Sequence, residues 1–198
     1  MFTRDRAIAK AILLLVAGSA SLCWAAEKYG LGRVATPQEI AGWDIDVTPD
    51  GAGLPKGSGN VALGKTVYDS QCGGCHGTNG EGAAWDGKAI DRLVGGQGTL
   101  HTAAPVKTVG SYWPYATTLF SYIYATMPFQ APQSLSPDEV YAVTAYILYL
   151  NGIVGKDAVM NAKILPKTAM PNRPNFISPD PRPDVKSVAC EKDCPGQR

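Results

Sequence analysis

The sequence predicts an all-α protein with an extended N-terminal arm and a Pro-rich C-terminal tail. Three observations lead there. The stretch "SPDEVYAVTAYILYLNG", residues 136–152, carries helix start and stop signals at its two ends. Two other stretches, 61–72 and 115–126, are apolar segments bounded by a capping Asn or by prolines. The flanks are rich in Gly and Pro, which break regular elements. The chain has 198 residues, 45% of them hydrophobic, enough for one packed domain.

Residues 1–25 read as a secretory signal peptide. "MFTRDRAIAK" is basic on balance, and "AILLLVAGSASLCWA" is an apolar run too short to span a bilayer comfortably. Small residues place the cut after Ala25, with Ala26 as the alternative and an uncleaved anchor as the competing reading. Cys23 follows Leu22, which argues against lipidation. Loss of Arg4, Arg6, Lys10 and Asp5 would take the formal charge from +1 to −1. No basic field for nucleic acid exists. Export to an oxidising compartment also sets how Cys72, Cys75, Cys190 and Cys194 are read.

Residues 26–60 form the arm. Thr36 and Glu39 offer a capping box and Pro37 a first helical position, predicting a short helix over 37–42; the rest lies extended on the domain. The domain proper spans 61–152. It opens with one helix capped by Asn60 that runs into Cys72. Residues 77–113 are Gly-rich, with a turn of helix expected at 87–93; a loop of this length wraps or does something. "YATTLFSYIYAT", between Pro114 and Pro128, predicts a helix ending before Met127. The last helix has Ser136, Pro137 and Glu139 at its start and Asn151-Gly152 at its end. Seven of the 15 prolines fall between 166 and 195, so residues 153–198 are expected to be a tail without regular structure, draped over the domain and pinned near its end.

The chemistry concentrates in "YDSQCGGCHGTNGEG", residues 68–82, which holds one of only two histidines. A thioredoxin-like dithiol would sit in an alternating strand and helix pattern, which is missing. A structural zinc site would need His101 or the distant Cys190 and Cys194 as further ligands. Covalent haem attachment uses all three residues at once. In Cys-x-x-Cys-His the thiols of Cys72 and Cys75 form thioethers and the imidazole of His76 reaches the iron. Gly73 and Gly74 let the backbone turn tightly against the porphyrin edge. The other ring nitrogen of His76 is expected to donate to a backbone carbonyl. For the sixth position the candidates are His101, Met127, Met160 and Met170. Met127, between two helices and stiffened by Pro128, is favoured over the gap-filling role common for methionine. A thioether opposite imidazole raises the reduction potential.

With Gly64, Tyr68, Cys72, Cys75, His76, Met127, Val143 and Tyr146 in this order, the chain resembles a class I c-type cytochrome over 61–152. That resemblance implies the class I cytochrome c fold, in which Gly64 and Tyr68 on the first helix cross Val143 and Tyr146 on the last. Three segments, "ATPQEIAGWDIDVTPDGAGLPKGSG", "KTVGSYWPYATTLFSYIYATMPF" and "LSPDEVYAVTAYILYLNGIVG", are similar to the cytochrome subunits that accompany molybdenum-dependent sulfite or sulfane dehydrogenases in bacterial sulfur oxidation. The sulfane dehydrogenase cytochrome often carries two haems; this chain has one attachment site, which implies a single haem c. By the same likeness Trp113 and Tyr115 border the haem and its propionates, with Lys107 or Arg92 supplying charge, or are ordinary packing and surface. Cys190 and Cys194 in "CEKDC" are expected to pair and pin the tail.

The expectation is a periplasmic monohaem electron carrier without a transmembrane span in its mature form. It would accept single electrons from a dehydrogenase and pass them to an acceptor cytochrome or oxidase of the respiratory chain. It would be an electron-transfer subunit rather than a catalyst by itself, since no base or nucleophile stands out. The competing readings are a cytochrome partner of a quinoprotein alcohol dehydrogenase, a haem enzyme with a replaceable sixth ligand, and a gas-sensing module.

Overall fold

The structure is a computed structural model and describes residues 31–177. The expected signal segment, Cys23 and the Cys190–Cys194 pairing lie outside the described residues. The chain divides into two units, residues 1–40 and 41–198.

In the first unit, the Glu39 carboxylate accepts from the Thr36 backbone N–H at 2.8 Å, and the Glu39 N–H donates to Thr36 Oγ1 at 3.3 Å. This is the expected capping box, and Glu39 also pairs with Arg33. It opens a short helix α1, Pro37–Trp43, one residue longer than expected and without a buried residue.

The second unit is built on two helices that cross. Helix α2, Val61–Gln71, is capped by Asn60, whose side chain accepts from the Leu63 N–H. Helix α5, Pro137–Leu150, has the full capping box of Ser136 and Glu139 with Pro137 at its start. A Cβ on Gly64 would fall inside contact distance of the Ala142 carbonyl and 2.8 Å from Tyr146 Cβ. Glycine therefore sets the helix separation. Just beyond, the Tyr68 and Tyr146 rings meet edge to face, centroids 5.3 Å apart. Val140, Val143 and Leu148 are fully buried in the same core. Helix α4, Ala116–Thr126, adds Leu119, Phe120 and Ile123; Phe120 lies 4.5 Å from the Tyr141 ring.

Four short strands accompany the helices. Strand β1, Ser58–Asn60, pairs antiparallel with β4, Val159–Asn161, placing Gly59 opposite Met160. A Cβ on Gly59 would come 2.5 Å from Ala142 Cα, so this glycine too is forced by contact with α5. Met160, Leu165 and Met170 are buried, so this part of the tail does lie on the domain, and only strand β4 departs from the expectation of a tail without regular structure. Residues 87–93 are also not helical. Ala83–Trp85 (β2) and Lys88–Ile90 (β3) form a tight hairpin whose turn holds Asp86 and Gly87 at positive φ. The arm from 44 to 60 does lie on the domain. Thr117 Oγ1 donates to the Pro49 carbonyl at 3.2 Å, and the Tyr141 hydroxyl to the Pro55 carbonyl at 2.9 Å.

No helix of the described residues is long and apolar enough to cross a membrane.

Candidate functional site

Helix α2 runs up to the cysteine pair, as expected, and ends there with Cys72 as its C-cap. The Cys72 N–H closes the last turn on the Tyr68 carbonyl at 2.9 Å. A new single turn, α3 (Gly73–His76), then starts, with the His76 N–H on the Cys72 carbonyl at 2.9 Å. The break sets Cys72, Cys75 and His76 on one turn, with both thiols free and half-buried.

Gly73 and Gly74 are not required by the protein's own packing. A Cβ at Gly74 would meet nothing within 4 Å, and one at Gly73 would make ordinary contact with Tyr68 O at 3.6 Å. Two glycines in a helical turn cost about 1 kcal/mol each relative to alanine, so the open space beside them answers to something other than internal packing. Burial, followed by the neighbouring Cys75, pushes the Cys72 thiol up to about 11. A thiol held protonated at neutral pH is the opposite of an activated redox dithiol. Among the described residues no group of three or more His, Cys, Asp or Glu is placed to hold a bare metal ion. The donor set instead suits a flat group bonded through two sulfurs, and these residues fit a haem.

Burial lowers the His76 pKa, and the Asp91 backbone works against that lowering. The Asp91 backbone hydrogen-bonds toward the buried ring, the kind of main-chain partner expected for its second nitrogen, although Nδ1 falls short of ideal hydrogen-bond geometry. The chain after His76 folds into a turn: the Gly82 N–H donates to the His76 carbonyl at 2.8 Å, and the Leu93 and Val94 N–H groups donate to the Gly80 carbonyl at 2.8 and 3.1 Å.

The loop to Trp113 is held by a polar cluster that sequence reasoning missed. Buried Asn151 donates through Nδ2 to the Leu93 and Ile147 carbonyls and accepts from the Gly95 N–H. Thr108 Oγ1 donates to the Gly95 carbonyl at 2.6 Å, and Ser111 Oγ to that of Val106 at 2.7 Å. The only local signal was Asn151 as a helix stop, and nothing in its neighbours indicates what its side chain reaches.

Met127 caps α4, its N–H on the Ile123 carbonyl at 3.0 Å; it is half-buried against the core, and the bond to Pro128 is cis. Met160 and Met170 are each 3% exposed and covered by protein, whereas His101 is exposed on the loop. Trp113 packs edge to face on Tyr122 with centroids 5.9 Å apart. Lys107 sits over the Tyr112 ring at 5.0 Å, Arg173 over the Tyr115 ring at 4.7 Å, and Arg92 is exposed.

Comparison with known proteins adds three findings. The family described as "Cytochrome c" matches residues 61–151. Thiosulfate dehydrogenase of Thiomonas intermedia (strain K12) is 31% identical over 110 residues, 56% of this chain and 32% of that protein. Thiosulfate dehydrogenase of Stutzerimonas stutzeri (strain A1501) is 28% identical over 112 residues, 57% of this chain and 33% of that protein. The chain thus spans about a third of the length of these curated relatives. A crystal structure of the sulfane dehydrogenase SoxCD from Paracoccus pantotrophus matches with a TM-score of 0.70 and 42% identity, covering 84% of this chain and 82% of that one.

Proposed function

This chain belongs to the cytochrome c family, and on that footing we propose that it is an exported, periplasmic monohaem cytochrome serving a sulfur-oxidising dehydrogenase. The family carries covalently bound haem c, and electron transfer follows from that. The finer reading is a single haem that takes electrons one at a time from a molybdenum sulfite or sulfane dehydrogenase and passes them to an acceptor cytochrome or oxidase. The observation that carries it is the extent of the likeness to SoxCD. It covers 84% of the chain at 42% identity, far beyond the 61–151 stretch that any cytochrome c would share. The single Cys-x-x-Cys-His supports one haem.

Bound haem supplies one-electron chemistry, its iron alternating between ferric and ferrous. The chain's own residues do the rest. Cys72 and Cys75 would anchor the group covalently, and His76 would bind the iron from the same turn. Met127 would complete the ligation. Its sulfur is half-buried, while Met160 and Met170 are already enclosed by protein and His101 lies out on the loop. With His76 and Met127 both holding the iron no position would remain for substrate, and a thioether ligand would raise the potential, which suits an electron acceptor.

Expression beside a working haem-maturation system tests this directly. A coloured protein whose mass exceeds the polypeptide by one haem, with a weak near-infrared sulfur-to-iron band in the ferric state, is expected. Met127→Ala should abolish that band. Reduction of the haem by sulfite in the presence of the co-purified dehydrogenase is the expected functional result; no reduction by any sulfur donor would remove the sulfur reading.

A second reading is favoured by the thiosulfate dehydrogenase relatives: a haem enzyme with a replaceable sixth ligand. Rapid binding of cyanide to the ferric or carbon monoxide to the ferrous protein would support it against Met127 ligation.

A further inference from the structure

Single apolar side chains in water are ordinary, but a gathering of them marks an interaction site. They gather in the arm. Val34 is 92% exposed and Trp43 87%, Leu31 and Ile40 are exposed as well, and no residue of α1 is buried. Ile40 and Trp43 stand three positions apart, so they share one face of the helix.

The segment is nevertheless built to hold its shape. A helix of seven residues is marginal by itself, and α1 gains nothing from burial. The Thr36 and Glu39 capping box closes its first turn instead, and the Arg33 guanidinium donates to both Glu39 carboxylate oxygens. A helix ordered by local hydrogen bonds, with its apolar face open, loses less freedom when a partner covers that face.

Charge and likeness narrow what that partner is. Asp44 and Asp46 follow Trp43 closely, and no basic residue lies between Arg33, which Glu39 already holds, and Lys56. A helix that lies on an anionic membrane carries Lys and Arg on its polar face; this one is acidic. Two copies of the arm packed about a two-fold axis would set Asp44 and Asp46 against like charges. The likeness to SoxCD covers 84% of the chain and so leaves fewer residues outside it than precede α1, whereas the cytochrome c family match begins at residue 61. The shared structure therefore reaches into an arm that the haem-carrying domain does not need.

We propose that residues 31–46 are a docking segment for the electron-donating dehydrogenase, with Ile40 and Trp43 entering an apolar groove and Asp44 and Asp46 meeting Lys or Arg side chains on its rim. This is the helix-in-groove mode, with a tryptophan as its anchor. It rests on the reading that the chain serves such an enzyme.

The test uses the haem-loaded protein and the dehydrogenase that co-purifies with it, identified by its sulfite-oxidising activity. Affinity and the rate of haem reduction by sulfite are measured against enzyme concentration for wild type, for Ile40→Ala with Trp43→Ala, and for Asp44→Lys with Asp46→Lys. The apolar double variant should bind about tenfold more weakly or worse, with its reduction rate recovering at high enzyme concentration and its haem spectrum and melting temperature unchanged. The charge variant should bind more weakly and lose the salt dependence of the wild type. Wild-type affinity in the apolar variant overturns the proposal, and wild-type salt dependence in the charge variant removes the basic rim. A lowered melting temperature overturns it too, by giving the arm to this chain's own domain. So does unchanged affinity for the enzyme combined with loss of a dimer in sedimentation, which assigns the arm to a second copy, or with loss of binding to phosphatidylglycerol vesicles, which assigns it to lipid. A wild-type haem that no sulfur donor reduces overturns the functional reading and this one with it, whereas normal reduction that neither variant slows overturns the docking segment alone.

Discussion

Helices α2 and α5 meet through apolar and aromatic surface, whereas the stretch from Gly77 to Trp113 is held in place mostly by hydrogen bonds. At the crossing, Tyr68, Val143 and Leu148 are fully buried and two glycines, Gly59 and Gly64, admit the Ala142 backbone. Among the described side chains of the loop, Val109 is the one large side chain fully buried, and the shape comes from Asn151, Thr108, Ser111, Tyr68 and Glu81 acting on main-chain groups. A loop beside the Cys-x-x-Cys-His turn need not be stabilised like the scaffold behind it. Apolar packing tolerates small shifts in side-chain position, while hydrogen bonds to chosen carbonyls fix the backbone direction residue by residue.

The largest effect should come from the crossing. Gly64→Ala is expected to destabilise the protein by about 3 kcal/mol or more, because overpacking costs about 1–3 kcal/mol even where side chains can move, and here the obstacle is a backbone carbonyl. Chemical denaturation measures it; a change within error would show that the helices separate freely. The loop should respond next. Asn151→Ala removes a side chain with three hydrogen bonds to the main chain, two donated to the Leu93 and Ile147 carbonyls and one accepted from the Gly95 N–H. A loss of about 2–3 kcal/mol is expected where buried partners are left unpaired, together with faster amide exchange at Gly95 but not in α2. Uniform exchange across both regions would erase the distinction drawn above.

The smallest effect lies at the start of α5. Ser136→Ala removes half of the capping box and should cost about 1 kcal/mol. Glu139 adds a pH dependence. Hydrogen bonds from the Ser136 side chain and backbone hold its folded-state pKa below the ordinary carboxylate value. A lowered folded pKa contributes stability that is present above the unfolded value, about 4.3 for a glutamate, and that is lost as pH falls through the folded value. Glu139→Gln should therefore lower stability slightly near neutrality, change it little at the acid extreme and so flatten the acid limb of a stability profile; an unchanged acid limb would remove the assignment.

Much of the scaffold was legible because its signals are local. Ser136, Pro137, Glu139 and Asn60 act on N–H groups within three residues, and the helices they open appear where expected. The break at Cys72 was not legible, since a helix that stops and restarts after one residue leaves the same apolar spacing. Nor was the hairpin at 83–90, whose strands are three residues long and have no period to read. The pairing of residues 58–60 with 159–161 joins segments about a hundred positions apart, and each is only three residues long.

What the sequence by itself determined was chemical identity. Two thiols and an imidazole at Cys-x-x-Cys-His spacing specify what can be bonded there, and capped helices specify what stands behind it. What only the tertiary structure decided was which groups meet across the chain: Gly59 against Ala142, Arg173 over Tyr115, Asn151 on the Leu93 carbonyl, Tyr68 on that of Gly77. Caps and ligand motifs act through a few consecutive bonds, so their residues carry the signal. Contacts between distant segments depend on how the whole chain closes, and any of many hydroxyls, amides or glycines could have made them.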